Sequence, residues 1–142
     1  MQRILFICYG NICRSTMAES VFTELVRRAG REAEFVIDSA ATSTEEIGNP
    51  PHHGTVAKLS EVGIPVVAHR ARQVRRAEYG DWDHIVYMDD ENARGLYRIF
   101  DMRPGPFRMF WATPVPRGLS WRSSRSRVSP GCDKGTVPLS HS

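Results

Sequence analysis

Five apolar residues in succession, Ile4 to Cys8, follow Met1-Gln2-Arg3 and give way to Tyr9-Gly10-Asn11. A short unbroken apolar run bounded by turn residues predicts a strand covered on both faces. From Ser15 to Arg28 the pattern changes: Met17, Ala18, Val21, Phe22, Leu25 and Val26 recur at helical spacing, and Ala29-Gly30 supplies the stop. Glu34 to Asp38 reads as a second strand and Ser39 to Pro51 as a loop. Pro51 to Val62 carries Val56, Ala57, Leu59 and Val62 at helical spacing and closes at Gly63. Pro65 to His69 is a short strand or extended segment, and Val74 to Tyr79 a helical turn. Trp82 to Met88 is a further strand centred on Ile85-Val86-Tyr87-Met88. Asp89-Asp90-Glu91 then places acidic groups at a helix start, and the helix runs on from Asn92 to Phe100.

Strand and helix in alternation predict an α/β fold: a three-layer open parallel sheet of about four strands with flanking helices and right-handed crossovers. Ligands of such sheets bind at the carboxyl ends of the strands, which directs attention to the loop after the first one.

The pattern breaks after Asp101. Residues 103–142 hold 6 of the 9 prolines, 4 of the 11 glycines and 7 serines, and their aromatic residues keep no period for long. That composition predicts irregular structure or disorder over the last 40 residues. The chain therefore divides into an α/β domain over 1–102 and an atypical Pro/Arg/Ser-rich tail over 103–142. At 142 residues there is room for one ordinary domain, not two. The net charge of +3 splits the same way, −3 over 1–102 and +6 over 103–142, so the basic balance belongs to the tail and says little about the partners of the body. A nucleic-acid role for Arg103 to Arg127 is outweighed by the simpler reading of a solvated basic stretch. No apolar run reaches the ~18 residues of a membrane helix, and no secretory signal is present. Three cysteines, Cys8, Cys13 and Cys132, make no disulfide framework and place the chain in a reducing cytoplasm by default. The paired C-x-x-C and H-x-x-x-H spacings of zinc sites are absent, and no metal or cofactor is expected.

The segment Cys8-Tyr9-Gly10-Asn11-Ile12-Cys13-Arg14-Ser15 sets Cys and Arg six positions apart between a strand and a helix. If the loop curls so that its N–H groups point inward, it forms a nest for a tetrahedral oxyanion, completed by the first turn of the helix. Gly10 is the residue expected to take the positive φ of so tight a loop. Arg14 can grip two oxygens of the anion with one planar fork, which Lys cannot. Amides, helix dipole and guanidinium together stabilise Cys8 as a thiolate, placed for in-line attack on phosphorus, and Ser15 can donate a hydrogen bond to the sulfur as it leaves. The bland alternative is a buried cysteine ending a strand beside a surface arginine. A strand before, a helix after, Gly10 inside and Ser15 next to Arg14 weigh against it.

CYGNICRS resembles the signature loop of the low-molecular-weight protein tyrosine phosphatases. The likeness extends through Ser39-Ala40-Ala41-Thr42, Glu46-Ile47-Gly48-Asn49-Pro50, His69-Arg70-Ala71-Arg72-Gln73 and Tyr87-Met88-Asp89, about residues 3–100. It implies hydrolysis of phosphotyrosine and aryl phosphates through a phosphocysteine intermediate, without a metal. It assigns Cys8 as nucleophile and Arg14 as the clamp on the transition state. It groups Tyr9, Gly10, Asn11, Ile12, Cys13 and Ser15 as the phosphate-binding loop, and makes Asn11, Ser15, Ser39 and His69 the network that holds it. Cys13 becomes a second thiol able to close a reversible disulfide with Cys8. The partner implied is a phosphotyrosine protein or a small aryl phosphate; nothing fixes an oligomeric state. Taken alone, His69 reads as readily as a satisfied structural histidine and Ser39 as a turn residue. His52 and His53 read as solvent-exposed at a helix start, and Asp89-Asp90-Glu91 as N-terminal helix charge.

The resemblance stops short of the family's late Asp-Pro-aromatic loop, which carries the general acid. No Asp-Pro dipeptide occurs in the sequence, and Asp133 is the one acidic residue beyond Asp101. The expected last strand and helix are not recognisable either, as a shifted reading frame or an alternative 3′ end would produce. An impaired phosphatase is therefore expected, with two other readings beside it. One is a phosphate or phosphotyrosine binder with little turnover. The other is a thiol-dependent arsenate reductase, which wants two further downstream cysteines where only Cys132 exists.

Overall fold

The computed structural model describes residues 1–110. Four strands, β1 (Gln2–Cys8), β2 (Phe35–Ala41), β3 (His84–Tyr87) and β4 (Phe107–Met109), form one sheet in the order β2-β1-β3-β4, every pair parallel. Three α-helices connect them: α1 (Arg14–Arg28), α2 (His53–Glu61) and α3 (Asp90–Ile99). The expected α/β class and the parallel sheet of four strands are both present.

Alternate residues of β1 explain the layers. Ile4, Phe6 and Cys8 join Met17, Val21, Phe22 and Val26 of α1 and Leu59 of α2 in one core. Leu5 and Ile7 face the other way and meet Val74, Ile85, Leu96 and Phe100. A strand with period-2 side chains that are apolar on both faces must be covered on both, and α1/α2 and α3 do so. β1 is also the point where the order reverses, β2 to one side and β3 to the other, so its carboxyl end opens the crevice in which such sheets hold ligands.

Three departures from the sequence pattern have physical causes. First, β2 runs on through Ser39, Ala40 and Ala41, where a loop was expected. These residues lack β-forming side chains, but the ladder with β1 continues to Cys8↔Ala41 and the strand follows its partner. Second, Pro65–His69 forms no strand; Val67 N instead donates to Ser20 Oγ at 3.0 Å. Third, β4 forms within the segment expected to be irregular. Three residues are too few to show a period, yet Phe107 packs edge-on against Tyr97 and face-on against Phe100, with centroids 5.2 and 5.9 Å apart. Ile85 N donates to Pro106 O at 2.9 Å, which docks the strand on β3. The rest of the tail, including Cys132 and Asp133, lies outside the described residues.

Candidate active site

The eight residues from Cys8 to Ser15 carry the chain from β1 into α1. Their shape is fixed from outside: Thr42 N and Ser43 N donate to the carbonyls of Cys8 and Tyr9 at 3.1 Å each, and His52 N donates to Ile12 O at 2.8 Å. Gly10 does not take the left-handed conformation expected of it. Asn11 does, at φ 60°. Asn is the residue beside glycine that tolerates this region, because its short side chain bonds locally. A Cβ at Gly10 would sit 3.3 Å from Glu46 Cγ, so that side chain would have to give by a few tenths of an ångström.

Cys8 is a buried, free thiol, not joined to Cys13. Its Sγ accepts from Asn11 N at 3.2 Å and lies 3.0 Å from Ser15 Oγ. The direction of that second bond follows from the network behind it. The N–H of Arg72 can only donate, and it meets Asn11 Oδ1 at 3.1 Å, so the Asn11 amide orientation is settled. Asn11 Nδ2 then donates both its hydrogens, to Ser15 Oγ at 2.8 Å and Ser39 Oγ at 2.9 Å. Ser39 passes its own proton to Glu19 Oε1 at 2.6 Å. Ser15, already accepting from Asn11, has its proton left for the sulfur. Donors therefore converge on Cys8 Sγ from a buried chain of side chains.

His69 completes the network. Its Nε2 lies 2.6 Å from Asn11 Oδ1, which is an acceptor, so Nε2 carries the hydrogen. Burial, opposed by Asp38 and aided by Arg72, holds the imidazole below its usual value. Burial together with the Asp38 charge pushes Glu19 up to about 7, against the Ser39 hydrogen bond and Arg72.

Arg14 is 2% exposed and its Nη2 bonds Asp89 Oδ2 at 2.9 Å. No acidic residue stands in the first turn of α1, so the amides there remain available to an anion. Tyr9 is exposed and its hydroxyl bonds the Glu45 carboxylate. Ile12 and Cys13 point into the α1-side core. His52 caps α2, its Nδ1 accepting from Gly54 N at 3.0 Å, and stacks on His53.

The structure thus joins Cys8, Asn11, Ser15, Ser39 and His69 in one network and places the Arg14 guanidinium on Asp89. Sequence reasoning missed Glu19 and the second bond of Asp89. Glu19 had a signal: it lies one turn after Ser15 on the stripe that continues to Phe22 and Val26, and a carboxylate on an apolar stripe calls for a partner. Among the described residues, no helix is long and apolar enough to cross a membrane.

A profile of the low molecular weight phosphotyrosine protein phosphatases matches residues 3–110. The chain is 45% identical over 96 residues to the low molecular weight protein-tyrosine-phosphatase YfkJ of Bacillus subtilis, covering 68% of this chain and 62% of that one. It is 44% identical over 95 residues to the low molecular weight phosphotyrosine protein phosphatase of Homo sapiens, covering 67% and 60%. The fold superposes on the crystal structure of YfkJ with a TM-score of 0.74 at 36% identity, over 81% of this chain and 76% of that one. For the Streptococcus pyogenes enzyme SP-PTP the TM-score is 0.71 at 31% identity, over 82% and 77%. The chain spans about 60% of the length of the curated relatives it matches. With this loop on this sheet, the chain belongs to the low molecular weight phosphotyrosine protein phosphatase family.

Proposed function

We propose that the chain hydrolyses phosphotyrosine and other aryl phosphates by two in-line displacements at phosphorus. The Cys8 thiolate attacks, an S–P bond forms, and the aryl oxygen leaves with the electron pair of the broken P–O bond. Water then attacks the phosphocysteine, giving orthophosphate and the thiolate. The observation that carries this reading is the convergence of Asn11 N–H and Ser15 O–H on Cys8 Sγ. A sulfur so held is a ready nucleophile and, in the second step, a good leaving group. Arg14 stabilises the equatorial oxygens of the transferring group, with the α1 amides beside it. No metal is needed, because arginine and amides supply the positive charge.

The chain lacks the Asp-Pro that would protonate the leaving oxygen. Without general acid catalysis the rate falls by about 10²- to 10⁴-fold, most for alkoxide and least for phenolate leaving groups. That same absence favours a second reading, a phosphotyrosine binder with little turnover, in which the loop is intact and the product release step is never reached.

Hydrolysis of p-nitrophenyl phosphate decides between them. A burst of nitrophenolate followed by slower turnover, abolished in Cys8→Ser, supports the enzyme. Phosphate binding without release of nitrophenolate assigns the binder. Turnover that survives in Cys8→Ser removes the nucleophile and the proposal with it.

A further inference from the structure

Of the two donors on Asn11 Oδ1, one can change its role and one cannot. His69 is a ring whose hydrogen can stand on either nitrogen, whereas the backbone N–H of Arg72, at 3.1 Å, can only donate. Were that N–H to withdraw, the Asn11 carboxamide could turn over, with His69 changing tautomer to suit it. Ser15 Oγ would then face Oδ1 and give it the proton that now goes to Cys8. The direction of the whole chain of hydrogen bonds therefore depends on where the Arg72 backbone stands.

That backbone is held from outside the loop. Arg72 O accepts from Ala41 N at 2.7 Å, at the end of β2. Its guanidinium is gripped on two sides. Nη1 and Nη2 meet Glu78 Oε2 and Oε1 at 2.9 and 3.1 Å as a bidentate pair, and Nη2 also meets Asp38 Oδ2 of β2 at 3.0 Å. Glu78 ends a single helical turn, Arg76–Glu78, and is 4% exposed. Its Oε2 accepts from Arg75 N at 2.7 Å and its Oε1 from Trp82 Nε1 at 3.2 Å. Burial raises its carboxyl, but the bonds from Arg72, Arg75 and Trp82 outweigh burial and hold it below the ordinary value. A buried ion pair is a poor source of net stability, whereas a two-pronged one fixes a direction.

We propose that Glu78 is a positioning residue for Cys8: by clamping the Arg72 side chain against Asp38 it sets the Arg72 N–H that orients Asn11, and through Asn11 and Ser15 the hydrogen bond to the sulfur. The path runs from Glu78 to Arg72, Asn11, Ser15 and Cys8 with each step at 3.1 Å or less. Its effect on rate rests on the phosphatase reading; the bond to Cys8 does not.

Alkylation of Cys8 by iodoacetamide, in which the sulfur displaces iodide, reads the ionised thiol without any turnover. The rate at this site, located by peptide mass, is followed against pH in the full chain. Glu78→Gln keeps the shape and removes the charge. It should move the midpoint of the profile about one unit to higher pH, the worth of one hydrogen bond to an ion. Arg72→Lys keeps the charge and loses the fork; it should move the profile the same way and decides the question if Glu78→Gln does not fold. In a Ser15→Ala chain, whose profile is already displaced, Glu78→Gln should add no further displacement. A Glu78 that serves the fold alone lowers the melting temperature and leaves the profile where it was. That result in a folded variant, or an equal displacement without Ser15, overturns the proposal. A moved profile in a chain that turns over no nitrophenyl phosphate supports the path and removes the phosphatase reading.

Discussion

Arg14 and Asp89 are joined at 2.9 Å, and the aspartate uses its two oxygens for two different elements. Oδ2 holds Arg14 at the start of α1, while Oδ1 accepts from Asn92 N at 2.9 Å and caps α3. The start of one helix thereby sets the orientation of the Arg14 guanidinium. Asp89→Asn separates the two tasks, because asparagine caps a helix as well as aspartate does. Melting should change little, whereas kcat/KM for nitrophenyl phosphate should fall about tenfold or more, as expected when a reacting group is misplaced. Asp89→Ala should add about 1 kcal/mol of destabilisation from the lost cap. Unchanged kinetics in Asp89→Asn would show that Arg14 needs no such guide.

Asn11 is the junction of the site. Its side chain makes contacts with Ser15, Ser39, His69 and the Arg72 amide, all at 3.1 Å or less, and its backbone is left-handed. Asn11→Ala loses the bonds and strains the backbone; Asn11→Gly loses the bonds alone. Leaving several buried polar groups without partners should cost about 3–4 kcal/mol in both. Alanine should be worse than glycine by a further ~1 kcal/mol for its positive φ. Urea unfolding of the pair checks this, and equal stabilities would mean that the loop relaxes out of the left-handed conformation.

Much of this was legible beforehand because periodicity and loop chemistry are local. The strand ending at Cys8, the helix beginning near Ser15 and the C-x5-R spacing can each be read within a few residues. Asp89-Asp90-Glu91 was likewise read as helix N-terminal charge, and Asp89 is the cap. What escaped reading depends on distant partners. Asp89 reaches Arg14 across 75 positions and Glu19 reaches Ser39 across 20. Strand β4 exists because Phe107 finds Phe100 and Tyr97, and a three-residue window holds no trace of that. The positive φ went to Asn11 rather than Gly10 because its side chain had four partners to reward the conformation, which no propensity records.

Glu24 sets the acid response of α1. Its carboxylate is 7% exposed, accepts from Arg27 Nε and Nη2 at 2.8 and 2.6 Å and from Arg28 Nε at 2.8 Å, and is held down to about 2 by those bonds. A carboxyl lowered in the folded chain stabilises it above the unfolded value near 4.5, and that contribution is lost as pH falls toward 2. The parent should therefore lose more stability than Glu24→Gln between pH 5 and pH 3 (about the span in which the unfolded carboxyl takes up its proton). Urea midpoints at the two pH values measure it; parallel losses would show that the two arginines do not hold the charge.

Gly95 ties α3 to the strand end beside the loop. A Cβ at this position would stand 2.8 Å from Thr42 Cβ and 2.9 Å from Thr42 Cγ2. Those are the root of a β-branched side chain, not the free end of a flexible one, so backbone must give way. Thr42 N in turn donates to the carbonyl of Cys8. Gly95→Ala should on helix propensity alone gain about 1 kcal/mol; instead it should lose about 1–3 kcal/mol through overpacking. Because the displaced residue is bonded to the strand end that carries the sulfur, turnover should fall along with stability. Relieving the contact with Thr42→Gly in the same chain, which removes both Cβ and Cγ2 but keeps the amide, should restore part of both. A stabilised Gly95→Ala, or a double variant no better than the single one, would show that α3 can shift away from the site without disturbing it.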